Sequence, residues 1–375
     1  MANGEWRMKR CRVKRSVPGL LTVAALGVGL MVCGALAEEE RPAAACGFHP
    51  PGMWTWDNWF AHDGRQWHAF YLQLPQAVGP DRRWKNNDFY KHVGHATSTD
   101  LRHWQDQGPA VCALSGTWND RHIATGSVIR HEGRWWMAFT GRGTRGDGVG
   151  LAVSDDLTRW RAAEDKPLFP LVGTFDKAAA GGVFVAPWKG EPRRWVGISD
   201  PYLLPERQGE WLVMVLCARV LDVPLAESGC LAIVRSRDLR HWERPAIVAW
   251  PRCFERMETP QLWARGGRWY LSFGGVLDPA WLKARSAALP AVVQRNYQNY
   301  CYRMTDLAGP ANEDQLQHVA VPRGPGHYYI MKVVSESPGR DVAIFTRSDQ
   351  QDSCISPPYP VEYDGDGTLR VMTGE

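Results

Sequence analysis

Apolar and polar positions in this chain fall into short strands, and one short pattern returns five times. A glycine leads into an aromatic residue and then a run of apolar or β-branched residues: GRQWHAFY from Gly64, GRWWMAF from Gly133, GEWLVMV from Gly209, GRWYLSF from Gly267 and GHYYIMK from Gly326. Each reads as a β-strand entered through a tight turn. Successive glycines lie 69, 76, 58 and 59 residues apart, room for several strands per repeat. Helical periodicity is hard to find beyond residue 37.

A second motif runs in phase with the first. It is STDLRHW at Ser98–Trp104, SDDLTRW at Ser154–Trp160 and SRDLRHW at Ser236–Trp242, with a degenerate copy, MTDLAGP, at Met304–Pro310. Its Asp is expected to bond nearby backbone N–H groups and its Trp to pack between repeats. Strand-rich units repeated around a centre form a β-propeller. The period exceeds the roughly 40–50 residues of WD40 and kelch blades. The expected fold is all-β, a five-bladed β-propeller over residues 47–375. GRGTRG at Gly141–Gly146 is followed by another strand-like run, VGLAVSDD, so it predicts a hairpin loop and not a dinucleotide-binding turn.

The first residues have a different character. Five basic residues between Lys9 and Arg15 precede the apolar stretch VPGLLTVAALGVGLMVCGALA, and Ala35-Leu36-Ala37 fits a signal-peptidase site. Residues 1–37 read as a signal peptide cleaved after Ala37, residues 38–46 as a linker, and the protein as secreted or periplasmic. An uncleaved membrane anchor is the rival reading. Residues 1–37 carry six Lys or Arg and one Glu, so removing their +5 from the chain's +4 leaves −1. No basic surface for nucleic acid is expected. Seven of the nine cysteines follow the leader, none in a C-x-x-C pair, so no structural zinc is expected and at least one thiol is left over within a single chain.

Upstream of the turn glycines, acids recur at one register. Asp57 lies seven residues before Gly64, Asp200 nine before Gly209 and Glu258 nine before Gly267, while TGS at Thr125–Ser127 holds that place in the second repeat. Alone, each is a plain turn or cap residue. Together they predict three carboxylates at the start of the inner strands, at one mouth of a propeller channel. Clustered acids raise one another's pKa, giving a protonated acid beside an ionised partner. That pair is the equipment of glycoside hydrolysis. The tryptophans of WTWDNWF, Trp54–Phe60, would offer sugar-stacking walls.

At these residues the chain resembles the five-bladed-propeller glycoside hydrolases, most of all family 32, the invertase and levanase group. Levansucrase family 68 and arabinanase-like family 43 are also similar. WTWDNWFAHDGRQWHAFYLQ follows the layout of the family's W-M-N-D-P-N-G segment and the strand after it. GHATSTDLRHW resembles W-G-H-A-x-S-x-D-L-x-x-W, TGS resembles S-G-S, SDP stands at R-D-P, and METPQLW resembles W-E-C-P-D-L. The resemblance implies Asp57 as nucleophile, Glu258 as general acid/base and Asp200 as transition-state stabiliser. Trp56, Trp59, Gln73 and Ser127 would bind substrate. Ser199 replaces the arginine of R-D-P, and Arg142 is the candidate replacement cation. Val93 replaces a tryptophan, and the β-sandwich that follows the propeller in most family 32 enzymes is not expected. The implied activity is hydrolysis of fructosides or related furanosides in oligo- or polysaccharides, without metal or organic cofactor. The alternatives are an inverting arabinanase-like enzyme, a fructosyl-transferring enzyme and a non-catalytic sugar-binding propeller.

Overall fold

A computed structural model describes residues 47–78, 92–171, 183–277, 297–307, 309–322, 327–348 and 353–373. The leader and linker lie outside the described residues. Among those residues no helix is long and apolar enough to cross a membrane.

The architecture is an all-β propeller. Among the described residues, five antiparallel sheets follow one another. Their inner strands are Met53–His62, His122–His131, Glu191–Leu203, Arg256–Arg265 and His327–Ser337. Each continues outward through hairpins, and the third sheet adds a strand, Val183–Trp188, ahead of its inner strand. The four turn glycines Gly64, Gly133, Gly209 and Gly267 have φ of 98°, 76°, 61° and 74°, a left-handed turn that glycine adopts without a Cβ clash.

The fifth repeat is set differently from the sequence expectation. The run after Gly326 is the inner strand itself, and the turn to the second strand, Arg340–Ser348, carries Gly339 at φ 84°. Gly326 lies outside the described residues. An aromatic strand after a glycine looks alike in either position.

Large apolar side chains fill the spaces between sheets, the burial that drives such a fold. One cluster joins the first and second sheets, and others join second to third, third to fourth and fourth to fifth. A further cluster, with Tyr71 and Leu101 against Val342 and Ile344, joins the first sheet to the fifth. The ring is therefore closed. Phe48 and Ile355 exchange two backbone hydrogen bonds of 2.8 Å, and the Ser353 hydroxyl donates to Thr55 O at 2.7 Å. Cys354, beside this seam, is disulfide-bonded, while Cys217, Cys230, Cys253 and Cys301 are free thiols.

The S-x-D-L-x-x-W motif does what its residues predict. In the third copy Asp238 Oδ1 accepts from the N–H groups of Arg240 and His241, both at 2.9 Å. Leu239 is fully buried at φ 65°, and Trp242 Nε1 donates to its carbonyl at 3.1 Å. The other copies repeat this around Leu101 and Leu157. Trp160, of the second sheet, packs edge-on to Phe70 of the first. GRGTRG is a hairpin between Arg134–Gly143 and Gly146–Ser154.

Candidate active site

All five inner strands break register near one level. The breaks fall at Trp56/Trp59, Ala124/Gly126, Ser199/Tyr202, Glu258/Gln261 and Tyr329/Met331. At four of them a non-glycine residue takes positive φ: Asp57 at 50°, Asp200 at 59°, Thr259 at 48° and Ile330 at 52°. A bulge kinks its strand and re-aims a side chain. The acids thus sit at bends within the inner strands and not at their first residues.

The bulges bring the three carboxylates together. The Thr125 hydroxyl donates to Asp57 Oδ2. Asp200, 7% exposed, receives the Thr259 N–H on Oδ2 at 2.8 Å, and its own N–H donates to Thr140 Oγ1 at 2.9 Å. Glu258 Oε1 accepts from Arg256 Nη1 at 2.7 Å. Burial pushes Asp57 well above the usual carboxylate range, and the Asp200 and Glu258 charges add to that, while Thr125 and Lys332 oppose it. Burial likewise raises Glu258 to about 7, Arg256 working against the shift and Asp200 with it. Asp57 thus responds to the charges of both other carboxylates, and Glu258 to that of Asp200.

Three groups complete the site that sequence reasoning passed over. Lys332, on the fifth inner strand and 4% exposed, donates from Nζ to the carbonyls of Thr259 at 2.7 Å and Pro260 at 3.1 Å. Its ammonium also lies 5.8 Å from the Tyr202 ring centroid. Burial lowers its pKa to about 8, with Asp200 and Asp57 holding the charge on. A lone lysine inside the apolar run YYIMKVV was the available signal, since such a charge is costly unless paired. Arg256 had one too: two residues before Glu258 on a strand, it shares that residue's face. Tyr297, whose buried hydroxyl feels the charges of Glu258 and Asp57, had none in its local sequence.

The expected substrate-binding residues are placed otherwise. Trp56 and Trp59 are 3% and 2% exposed inside the cluster between the first and second sheets, with Trp59 stacked on Phe70. They are core residues and present no open face to a sugar. Ser127, 2% exposed, bonds backbone on both sides, donating to Pro201 O at 2.9 Å and accepting from Leu203 N–H at 2.8 Å. It fixes the strand that carries Asp200, and Thr125 is the TGS residue that meets a carboxylate. Gln73 is buried with its Nε2 2.6 Å from His92 Nε2. Arg142 pairs with Asp147 across its hairpin at 3.3 Å. The cations next to the acids are Arg256 and Lys332. No cluster of metal-ligating side chains occurs among the described residues.

The site thus holds three carboxylates, on the bulged first, third and fourth inner strands. The family model described as glycosyl hydrolases family 32 N-terminal domain matches residues 48–264, which hold all three. This chain belongs to glycosyl hydrolase family 32. A probable sucrose-6-phosphate hydrolase of Vibrio cholerae serotype O1 is 29% identical over 194 residues, covering 52% of this chain and 30% of the relative. A raffinose invertase of Escherichia coli is 24% identical over 342 residues, covering 86% and 63%. The chain thus spans less than two thirds of the length of either family 32 relative. Among solved structures, a family 32 β-fructofuranosidase of Bombyx mori superposes with a TM-score of 0.61 at 17% identity, covering 87% of this chain and 64% of that one. A thermostable family-43 glycoside hydrolase superposes with a TM-score of 0.59 at 12% identity, covering 88% and 95%. At these identities the likeness is one of fold.

Proposed function

We propose that this protein is an exported, five-bladed propeller glycosidase that hydrolyses fructosides or closely related furanosides. The observation that carries the proposal is the convergence of Asp57, Asp200 and Glu258, from three sheets, on one partly buried site. Membership of family 32 supports the fructoside substrate.

Glu258, held protonated to about pH 7 by burial, is the general acid that gives its proton to the leaving oxygen. Asp57 attacks the anomeric carbon, its ionised form favoured by the Thr125 hydrogen bond and the Lys332 charge. Asp200 is fixed by Thr259 N–H and the Thr140 hydroxyl, and binds sugar hydroxyls as positive charge develops on the ring. Water then hydrolyses the glycosyl-enzyme with Glu258 as base.

The test is a hydrolysis screen with sucrose, inulin, levan and aryl arabinofuranosides, run beside Asp57→Ala and Glu258→Gln. Fructose release should fall about a thousandfold or more in each variant, with melting temperature retained. Full activity in either variant would sink the assignment. Ser199, at the R-D-P arginine position, and the likeness to a family-43 structure favour one second reading, an inverting arabinofuranosidase. Arabinose release with inverted anomeric configuration, read by proton NMR, would select it.

A further inference from the structure

Tyr297 opens the strand Tyr297–Met304 of the fourth sheet. Its hydroxyl oxygen is buried and has no hydrogen-bond partner among the described residues. A buried polar group without a partner is uncommon in folded proteins and calls for an explanation.

The position of that hydroxyl supplies one. It lies over Gly274, where a Cβ would collide with it. Gly274 is the cross-strand partner of Glu258, so the hydroxyl is folded back toward the residue that carries the acid. Side chains from the fifth inner strand brace the ring. Tyr329 meets it edge-on at 5.3 Å between centroids, and His327 at 6.1 Å. Burial, with Glu258 and then Asp57 as the leading neighbouring charges, holds the phenol far above its usual pKa. It therefore remains a protonated donor across the working pH range.

We propose that the Tyr297 hydroxyl is a substrate-contacting group, completing its hydrogen bonding with a sugar hydroxyl bound on the Glu258 side of the carboxylate cluster. The inference rests on the glycosidase reading. The braced ring fixes where the donor points, and the missing side chain at Gly274 makes room for it. A sugar lacking a hydroxyl there would leave the donor buried and unpaired, so Tyr297 contributes to substrate selection.

The test is Tyr297→Phe, which removes one oxygen and keeps the ring. Wild type and variant are compared on sucrose, levan and 4-nitrophenyl α-L-arabinofuranoside, and by thermal unfolding. The variant should keep or raise the melting temperature, because the hydroxyl has no partner in the free protein. Its kcat/KM on the substrate the wild type turns over should fall roughly tenfold, the size of one lost hydrogen bond. Wild-type kcat/KM in the variant would overturn the inference alone. So would a lowered melting temperature, which would assign the hydroxyl a folding role. A wild type inactive on all three substrates, and on inulin as a fourth, would remove the glycosidase reading and this inference with it.

Discussion

Asp57 and Glu258 are both pushed upward by burial, so their protons leave in two coupled steps, and in the proposed mechanism the form with one proton is the working one. As pH rises through about 7, Glu258 loses its proton and the rate should fall. As pH falls, the pair takes up its second proton and the rate should fall again. Lys332 belongs to the acid limb. It faces Asp57, Asp200, the carbonyls of Thr259 and Pro260, and the Tyr202 ring. Lys332→Met removes a positive charge, so Asp57 keeps its proton to higher pH and the acid limb of kcat/KM should move up by about one pH unit. An unmoved acid limb would leave Lys332 a packing role only. Stability follows Glu258 in the same sense as the basic limb. The folded pKa of Glu258 lies above its ordinary value of 4.5, so its contribution is fully present below about pH 4.5 and is lost as pH rises through about 7. At this scale the sequence was legible where chemistry and register coincide, as for the three acids. It was illegible for Trp56 and Trp59, because tryptophan suits a core and a sugar platform equally. Only tertiary packing separates the two.

At the scale of elements, the S-x-D-L-x-x-W turn was readable because its contacts are local. Asp238 meets N–H groups two and three residues on, and the leucine between adopts a left-handed conformation that the turn needs. Asp238→Ala removes those acceptors and should cost about 1 kcal/mol, as lost caps do, seen as a lower urea midpoint with kcat/KM unchanged. The bulges were half readable. Residue spacing gives their common level, but a spacing carries no φ, so from the sequence a bend inside a strand looks the same as a strand start. The fifth repeat was misplaced for a related reason. His327–Ser337 has the aromatic, apolar composition of a second strand, and only its pairing with Arg340–Ser348 shows that it lies innermost. Lys332 and the surroundings of Tyr297 depend on that placement.

At the scale of the whole molecule, the first and last sheets meet through the Phe48–Ile355 pair and the Thr55–Ser353 hydrogen bonds. Ser353→Ala leaves a buried Thr55 carbonyl short of its donor, and should destabilise by about 1–2 kcal/mol, read as a lower melting temperature and faster proteolysis. Closure of this kind could be inferred from the number of repeats, but its contacts join residues about 300 apart and leave no local trace. Polar ties of the same sort run between every neighbouring pair of sheets: Thr125 to Asp57, Ser127 to Pro201, Thr259 to Asp200, Gln261 to Val333, and Asn58 to Thr346. The sheets stand like staves, and these bonds form the hoop. The distance from one acid to the next is therefore a property of the circumference and not of any single stave. Losing a stave would draw the acids closer together and adding one would spread them, so the number of sheets sets the gap in which a sugar can react.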